Sequence, residues 1–204
     1  MSAGRRQRAC ASLAVGALVC LVVPARAARP PGVEQALLAA SVLVGSGCSG
    51  VLVDGPDLVL TAEHCIDGGA THTLRFSDGS RRTGWVAGVD READQALLLL
   101  EEPVALQPLR LAPRPPIAGT VLYFAGNPSR ARFREATLDR TGRCPSLPSL
   151  GNALFTTIDG VPGDSGAAIV DGAARVVGLV HGGAQCRIAT PSDTLRRLIA
   201  DVLK

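Results

Sequence analysis

Beyond residue 40 the chain alternates between short apolar, β-branched runs and polar turn clusters. Ser41–Gly45, Ser49–Val53 and Asp57–Thr61 come first, the third after the turn signal Asp54-Gly55-Pro56. Thr71–Phe76, Thr83–Val89, Ala96–Leu100, Thr120–Phe124 and Phe133–Arg140 follow. Ala153–Ile158, Ala167–Val170, Val176–Val180 and Arg187–Thr190 complete the series. Ser77-Asp78-Gly79, Asn127-Pro128 and Asp171-Gly172 punctuate it. Many short strands at even spacing predict an antiparallel sandwich or barrel, with no βαβ rhythm and no internal repeat. A helix is expected only at the C-terminus. Pro191 starts it, Ser192 or Asp193 caps it, and Leu195, Leu198, Ile199 and Val202 form its apolar stripe. The proline-rich stretch 101–118 reads as a connector between two halves of the strand array.

The N-terminus follows another pattern. Arg5, Arg6 and Arg8 precede a short apolar run from Ala9 to Val23, Pro24 breaks it, and Ala25-Arg26-Ala27 has the A-x-A form of a cleavage site. This is the layout of a secretory signal peptide over residues 1–27, leaving 28–204 as the working chain. An uncleaved anchor is the alternative, although the run is short for a span. A lipid attachment at Cys20 is disfavoured, because Ala17-Leu18-Val19 puts no small residue beside it.

Removing that segment changes the charge. The full chain carries 21 Lys+Arg and 18 Asp+Glu, a formal net charge of +3. Four of the arginines lie before residue 28 and none of the acids does, which leaves a net charge of −1. Nucleic acid is therefore not an expected partner. Arg130, Arg132 and Arg134 alternate, as a solvated strand face would. At 204 residues and 47% hydrophobic the chain can bury a real core, built from Val, Leu, Ile and Ala because aromatics are only 3%. Cys10 and Cys20 leave with the signal. Cys48, Cys65, Cys144 and Cys186 remain, an even number in an exported chain, with three possible pairings.

Three segments carry candidate chemistry. His64 closes Thr61-Ala62-Glu63-His64-Cys65 at a strand end, Asp94 opens the apolar run Gln95-Ala96-Leu97-Leu98, and Ser165 sits in Gly163-Asp164-Ser165-Gly166. A serine hydroxyl needs an adjacent base. An imidazole has the right pKa to take and return its proton, and a carboxylate fixes the imidazole tautomer. Asp90 is a rival for the carboxylate, disfavoured because the apolar run follows Asp94. The order His, Asp, Ser differs from the orders of subtilisins and α/β-hydrolases. Ala167 also breaks the α/β-hydrolase elbow.

These segments resemble the trypsin/chymotrypsin superfamily of serine proteases. T-A-A-H-C has Glu63 in place of its second Ala, D-x-A-L-L is intact at Asp94, and G-D-S-G is intact at Gly163. Gly47-Cys48-Ser49-Gly50 resembles the family's C-G-G strand. The resemblance spans about residues 41–200 and implies an all-β fold: two six-stranded antiparallel barrels, about 38–105 and 117–190, with a C-terminal helix over 191–203. It implies catalysis by His64, Asp94 and Ser165, an oxyanion hole from the N–H groups of Gly163 and Ser165, and a Cys48–Cys65 bridge. Cys186 is then expected to pair with Cys144. The strand Val177–Gly183 would hold the substrate backbone, with Val180, His181, Gly182 and Gly183 at the pocket.

Three departures matter. There is no I-V-G-G-like N-terminus, so Asp164 is left without its usual ammonium partner. Pro162 resembles the V8-like branch. Asp159 stands six residues before Ser165, the position that selects Arg or Lys in trypsins, yet V8-like members carry acids nearby without that role. His181 falls one position off the V8-like pocket histidine and is read as structural, and His72 as a surface strand residue. The expectation is a secreted or periplasmic monomeric serine endopeptidase acting on proteins or peptides. It needs no cofactor or metal and keeps no stable membrane association after signal cleavage. A non-catalytic binding or chaperone-like protein and an esterase on the same fold are the alternatives.

Overall fold

The computed structural model describes residues 30–204 apart from 67, 128, 130–132 and 183–186. Strands β1 (Ser41–Val44), β2 (Cys48–Leu52), β3 (Leu58–Thr61), β4 (Thr71–Phe76), β5 (Arg81–Asp90) and β6 (Gln95–Leu100) close into one barrel in the order β1-β2-β3-β6-β5-β4. Strands β7 (Val121–Ala125), β8 (Phe133–Gly142), β9 (Ala153–Thr156), β10 (Ala168–Val170), β11 (Val176–Gly182) and β12 (Ile188–Pro191) close into a second, β10-β11-β12-β9-β8-β7. Every strand pairing is antiparallel. Closure removes the open sheet edges that such short strands would otherwise expose. The fold is the two-barrel, chymotrypsin-like architecture.

The barrel interiors are aliphatic, as the composition requires. Val42, Val44, Leu52, Val59, Leu74 and Leu98 share the inner face of the first, and Leu122, Leu138, Leu154 and Ile169 fill the second, around a fully buried Phe124. Helix α2 (Ser192–Val202) lays Leu195, Leu198 and Ile199 against the first barrel. It arrives there straight from β12 of the second, so it clamps the two together. No side chain caps α2; Pro191 occupies its N-cap position, and neither Ser192 nor Asp193 supplies the expected bond.

The sequence missed one helix, α1 (Val33–Ala40). Its start carries no capping side chain, only Gly32 in a left-handed conformation. It is too short to be stable in isolation, and its existence rests on burying Val33, Leu37 and Ala40. Among the described residues no helix is long and apolar enough to cross a membrane.

Candidate functional site

The three motif segments converge where the barrels meet. Just after β3, a single 3-10 turn (Glu63–Cys65) carries His64. Cys65 is bridged to Cys48 at the start of β2, with Cα atoms 5.9 Å apart across 17 residues. Closing that loop restricts the unfolded chain and ties the histidine turn to the barrel. Cys144 is also disulfide-bonded. Its expected partner Cys186, and Gly183 of the expected pocket, lie outside the described residues.

Asp94 ends the turn between β5 and β6 with φ +50°, an uncommon conformation that Asp tolerates better than most side chains. Its rival Asp90 has a local task, accepting the Ala93 N–H at 3.0 Å and so shaping the turn. Asp94 is 5% exposed and receives the backbone N–H of His64 at 3.0 Å and His64 Nδ1 at 2.9 Å. Glu63, the departure from the family motif, pairs with Arg91 at 3.2 Å and links the histidine turn to the aspartate turn. Behind them, buried Gln95 donates to Thr190 Oγ1 at 2.8 Å, a polar tie between the barrels.

Ser165 arrives from the second barrel. Ser49 of β2 grips its turn twice: its N–H donates to the Ser165 carbonyl at 2.9 Å and its Oγ to the Gly163 carbonyl at 2.6 Å. Gly166 makes that approach possible. A Cβ there would collide with the Ser49 carbonyl, Thr61 Oγ1 and the Ala62 N–H, all on the first barrel. The Ser165 turn therefore packs directly on the backbone that leads to His64. Ser165 Oγ donates to the His181 carbonyl at 3.4 Å.

His181 does not face the pocket. Its Nδ1 is hydrogen-bonded to Asp94 Oδ2, and its ring meets that of His64 edge to face at 5.8 Å. Burial alone would raise the Asp94 pKa; the hydrogen bonds from His181 and His64 outweigh it and hold the carboxyl at about 2. The side-chain donor atoms of His64, Asp94 and His181 lie within 4.8 Å of one another, the spacing of a metal-ligand set. Both Nδ1 atoms, however, are already engaged with the carboxylate.

Asp164, next to Ser165, is 2% exposed and well partnered. Arg134 Nη2 reaches its Oδ2 at 3.2 Å, and the N–H groups of Asn127 and Val161 donate at 2.9 and 3.0 Å. Gly126 leaves the room, because a Cβ there would overlap the carboxylate. Arg134 is therefore not a solvated strand residue: it lies over the Phe124 ring, 4.5 Å from its centroid, and also donates to the Asp159 carbonyl at 3.1 Å. Arg130 and Arg132 lie outside the described residues.

Beside Ser165 is a cavity of about 450 Å³ lined by Gly160, Val161, Pro162, Asp164, Val180 and Gly182, the Asp164 carboxylate being engaged by Arg134. Asp159 is not part of its wall. Its side chain is 82% exposed and pairs with Arg187 at 3.4 Å. His72 bonds the Gly69 carbonyl at 3.2 Å, away from the site. Sequence reasoning missed Arg134 and its partner groups; the one signal available was an aspartate beside the candidate serine in need of a cation.

Residues 48–179 match the trypsin-like peptidase domain. A probable periplasmic serine protease do/HhoA-like of Haemophilus influenzae is 27% identical over 169 residues, covering 76% of this chain but only 36% of that protein. The chain thus spans about a third of that relative's length. The crystal structure of Deg5 superposes with a TM-score of 0.69 at 22% identity, over 83% of this chain and 91% of that one. A serine endoprotease from Yersinia pestis gives 0.71 at 19% identity, over 83% and 65%. With a family match over most of its length and both closed barrels in place, the chain belongs to the trypsin-like peptidase family.

Proposed function

We propose that the protein is an exported serine endopeptidase that cleaves through an acyl-enzyme. The observation that carries the reading is the buried Asp94 carboxylate bonded to His64 Nδ1 at 2.9 Å, with the Ser165 turn packed on the same stretch of backbone. An anionic carboxylate only accepts, so His64 Nδ1 is the donor and its Nε2 is left as the base. Ser165 Oγ attacks the scissile carbonyl while its proton passes to His64 Nε2. The resulting imidazolium is stabilised by Asp94 and returns the proton to the leaving amine. The N–H groups of Gly163 and Ser165 are the donors for the oxyanion. Water then repeats the sequence in reverse and frees the enzyme. The periplasmic name of the Haemophilus relative and the signal-like residues 1–27 support export.

The cavity beside Ser165 supports an apolar P1 side chain. Val161, Pro162 and Val180 wall it, and the Asp159 carboxylate, turned out to solvent and paired with Arg187, offers a cationic side chain nothing there.

A fluorophosphonate probe tests the reading: mature protein is expected to label stoichiometrically at Ser165, and Ser165→Ala not at all. A probe-negative wild type identifies a binding protein on a protease fold; labelling with turnover of esters but not peptides identifies an esterase. In a P1 library, Val and Leu peptides are expected to exceed Arg peptides about tenfold or more in kcat/KM, the scale of a pocket-contact difference. Asp159→Ala should leave that ratio unchanged. Preference for Arg that disappears in Asp159→Ala would restore the tryptic reading.

A further inference from the structure

The two N–H groups assigned to the oxyanion, those of Gly163 and Ser165, make no hydrogen bond among the described residues. Their directions are set by the peptides around them. The Asp164 carbonyl accepts the Ala167 N–H at 2.9 Å, which holds the peptide that carries the Ser165 N–H. Gly163 is the looser end, because a glycine at φ +97° has no side chain to restrain its torsions. The restraint comes from the other barrel. Ser49 of β2 is 1% exposed and donates its hydroxyl to the Gly163 carbonyl at 2.6 Å, while its N–H takes the Ser165 carbonyl at 2.9 Å. One residue thus holds the carbonyls on either side of Asp164. Ser49 is itself held: its own carbonyl accepts the hydroxyl of fully buried Thr61 at 2.7 Å, and Cys48 before it is bridged to Cys65.

We infer that the Ser49 hydroxyl is a positioning group for the oxyanion hole, an inference that rests on the serine-protease reading above. By pinning the Gly163 carbonyl it limits rotation of that glycine, and so sets where the Gly163 N–H points. The donor is then aligned before substrate arrives, and no reorganisation is needed as charge develops on the scissile carbonyl oxygen. The hydrogen bonds of Ser49 outside its sheet run to Thr61, Gly163 and Ser165. Among the described residues none runs to His64 or Asp94. Loss of the hydroxyl should therefore weaken the hole and leave the base as it is.

Two variants test it. Ser49→Ala removes the hydroxyl and keeps the backbone N–H; Ser49→Cys keeps the volume and offers only a weak S–H donor. Ser49→Ala is expected to lower kcat about 10- to 30-fold, less than loss of an oxyanion donor itself, with KM within about threefold. Ser49→Cys should fall between it and wild type, and it carries the test if Ser49→Ala does not fold. A peptide aldehyde adds Ser165 Oγ across its C=O and leaves an oxyanion in the hole, so its Ki should rise by the same factor as kcat falls. The matching peptide alcohol forms no adduct, and its Ki should not move. The acidic limb of the kcat/KM pH profile, which reports His64, should also stay in place. A folded variant with kcat and aldehyde Ki within about threefold of wild type overturns the inference. So does a rise in KM alone, or a shifted acidic limb, which would mean that the hydroxyl acts through His64. In all three outcomes wild type still labels with the fluorophosphonate, and the serine-protease reading stands. A wild type that neither labels nor binds the aldehyde more tightly than the alcohol overturns that reading and this inference with it.

Discussion

Asp94→Asn is expected to lower kcat about 10³- to 10⁴-fold, the scale known for loss of the carboxylate that sets the histidine tautomer. The reason lies in the number of donors. Oδ1 takes the His64 N–H, and Oδ2 takes His64 Nδ1 and His181 Nδ1. An asparagine turns one of these acceptors into an N–H₂, so whichever way it flips, a donor faces a donor. Relief comes from a ring moving its proton to Nε2, and if that ring is His64 the base for Ser165 is lost. Stability should respond as well. The folded carboxyl titrates at about 2 against an ordinary 3.8. A depressed folded pKa means stability that is present above the unfolded pKa and lost as pH falls through the folded one. Wild type should lose about 2 kcal/mol between roughly pH 4 and pH 2 from this group. Asp94→Asn should lack that component. Steady-state kinetics at neutral pH and urea midpoints at pH 6, 4 and 2 measure both. A kcat within tenfold of wild type would remove Asp94 from the proposed triad.

Arg134→Leu is expected to be the most damaging change outside the triad. The guanidinium ties Asp164 and the Asp159 carbonyl together, so one side chain pins both ends of the segment that walls the cavity and leads to the nucleophile. Its removal leaves the buried Asp164 carboxylate uncompensated. The expected cost is about 3 kcal/mol, at the low end for a broken buried pair because Arg134 is itself 35% exposed. Catalysis should fall further than stability, about 10²-fold in kcat/KM, as displaced oxyanion donors would cause. Arg134→Lys should recover less than half the lost stability, because one ammonium cannot reach both oxygens in the planar fork. Because an internal arginine supplies the cation, an N-terminal extension ahead of residue 30 should leave kcat/KM unchanged. Full activity in Arg134→Leu, or dependence on a free N-terminus, would show that the loop is held by other means.

The strand array was legible because it rests on local alternation. Twelve apolar runs read from the sequence correspond to the twelve observed strands, with boundaries shifted by a residue or two. Helix α1 was invisible for an equally local reason, as it lacks a capping side chain and depends on tertiary burial. The candidate site divides the same way. His64, Asp94 and Ser165 were marked by short motifs, each a single turn whose geometry its own residues dictate.

The partners of those residues were not marked. Arg134 reads as one of three alternating arginines, His181 as a structural histidine and Asp159 as a specificity residue, because spacing along the chain says nothing of which way a side chain turns across a seam between barrels. The tertiary structure decides it. Barrel closure carries Arg134 over Phe124 to Asp164, and the irregularity in β11 swings His181 onto Asp94. The path of the loop before Ser165 leaves Asp159 in solvent. The sequence by itself determined the array of short strands and the aliphatic core, written in local periodicity and turn chemistry, while the two-barrel expectation and the three motif residues came with the family resemblance. Which charges meet, and which side chains wall the pocket, was decided only by packing, because those contacts join residues tens of positions apart that no local rule relates.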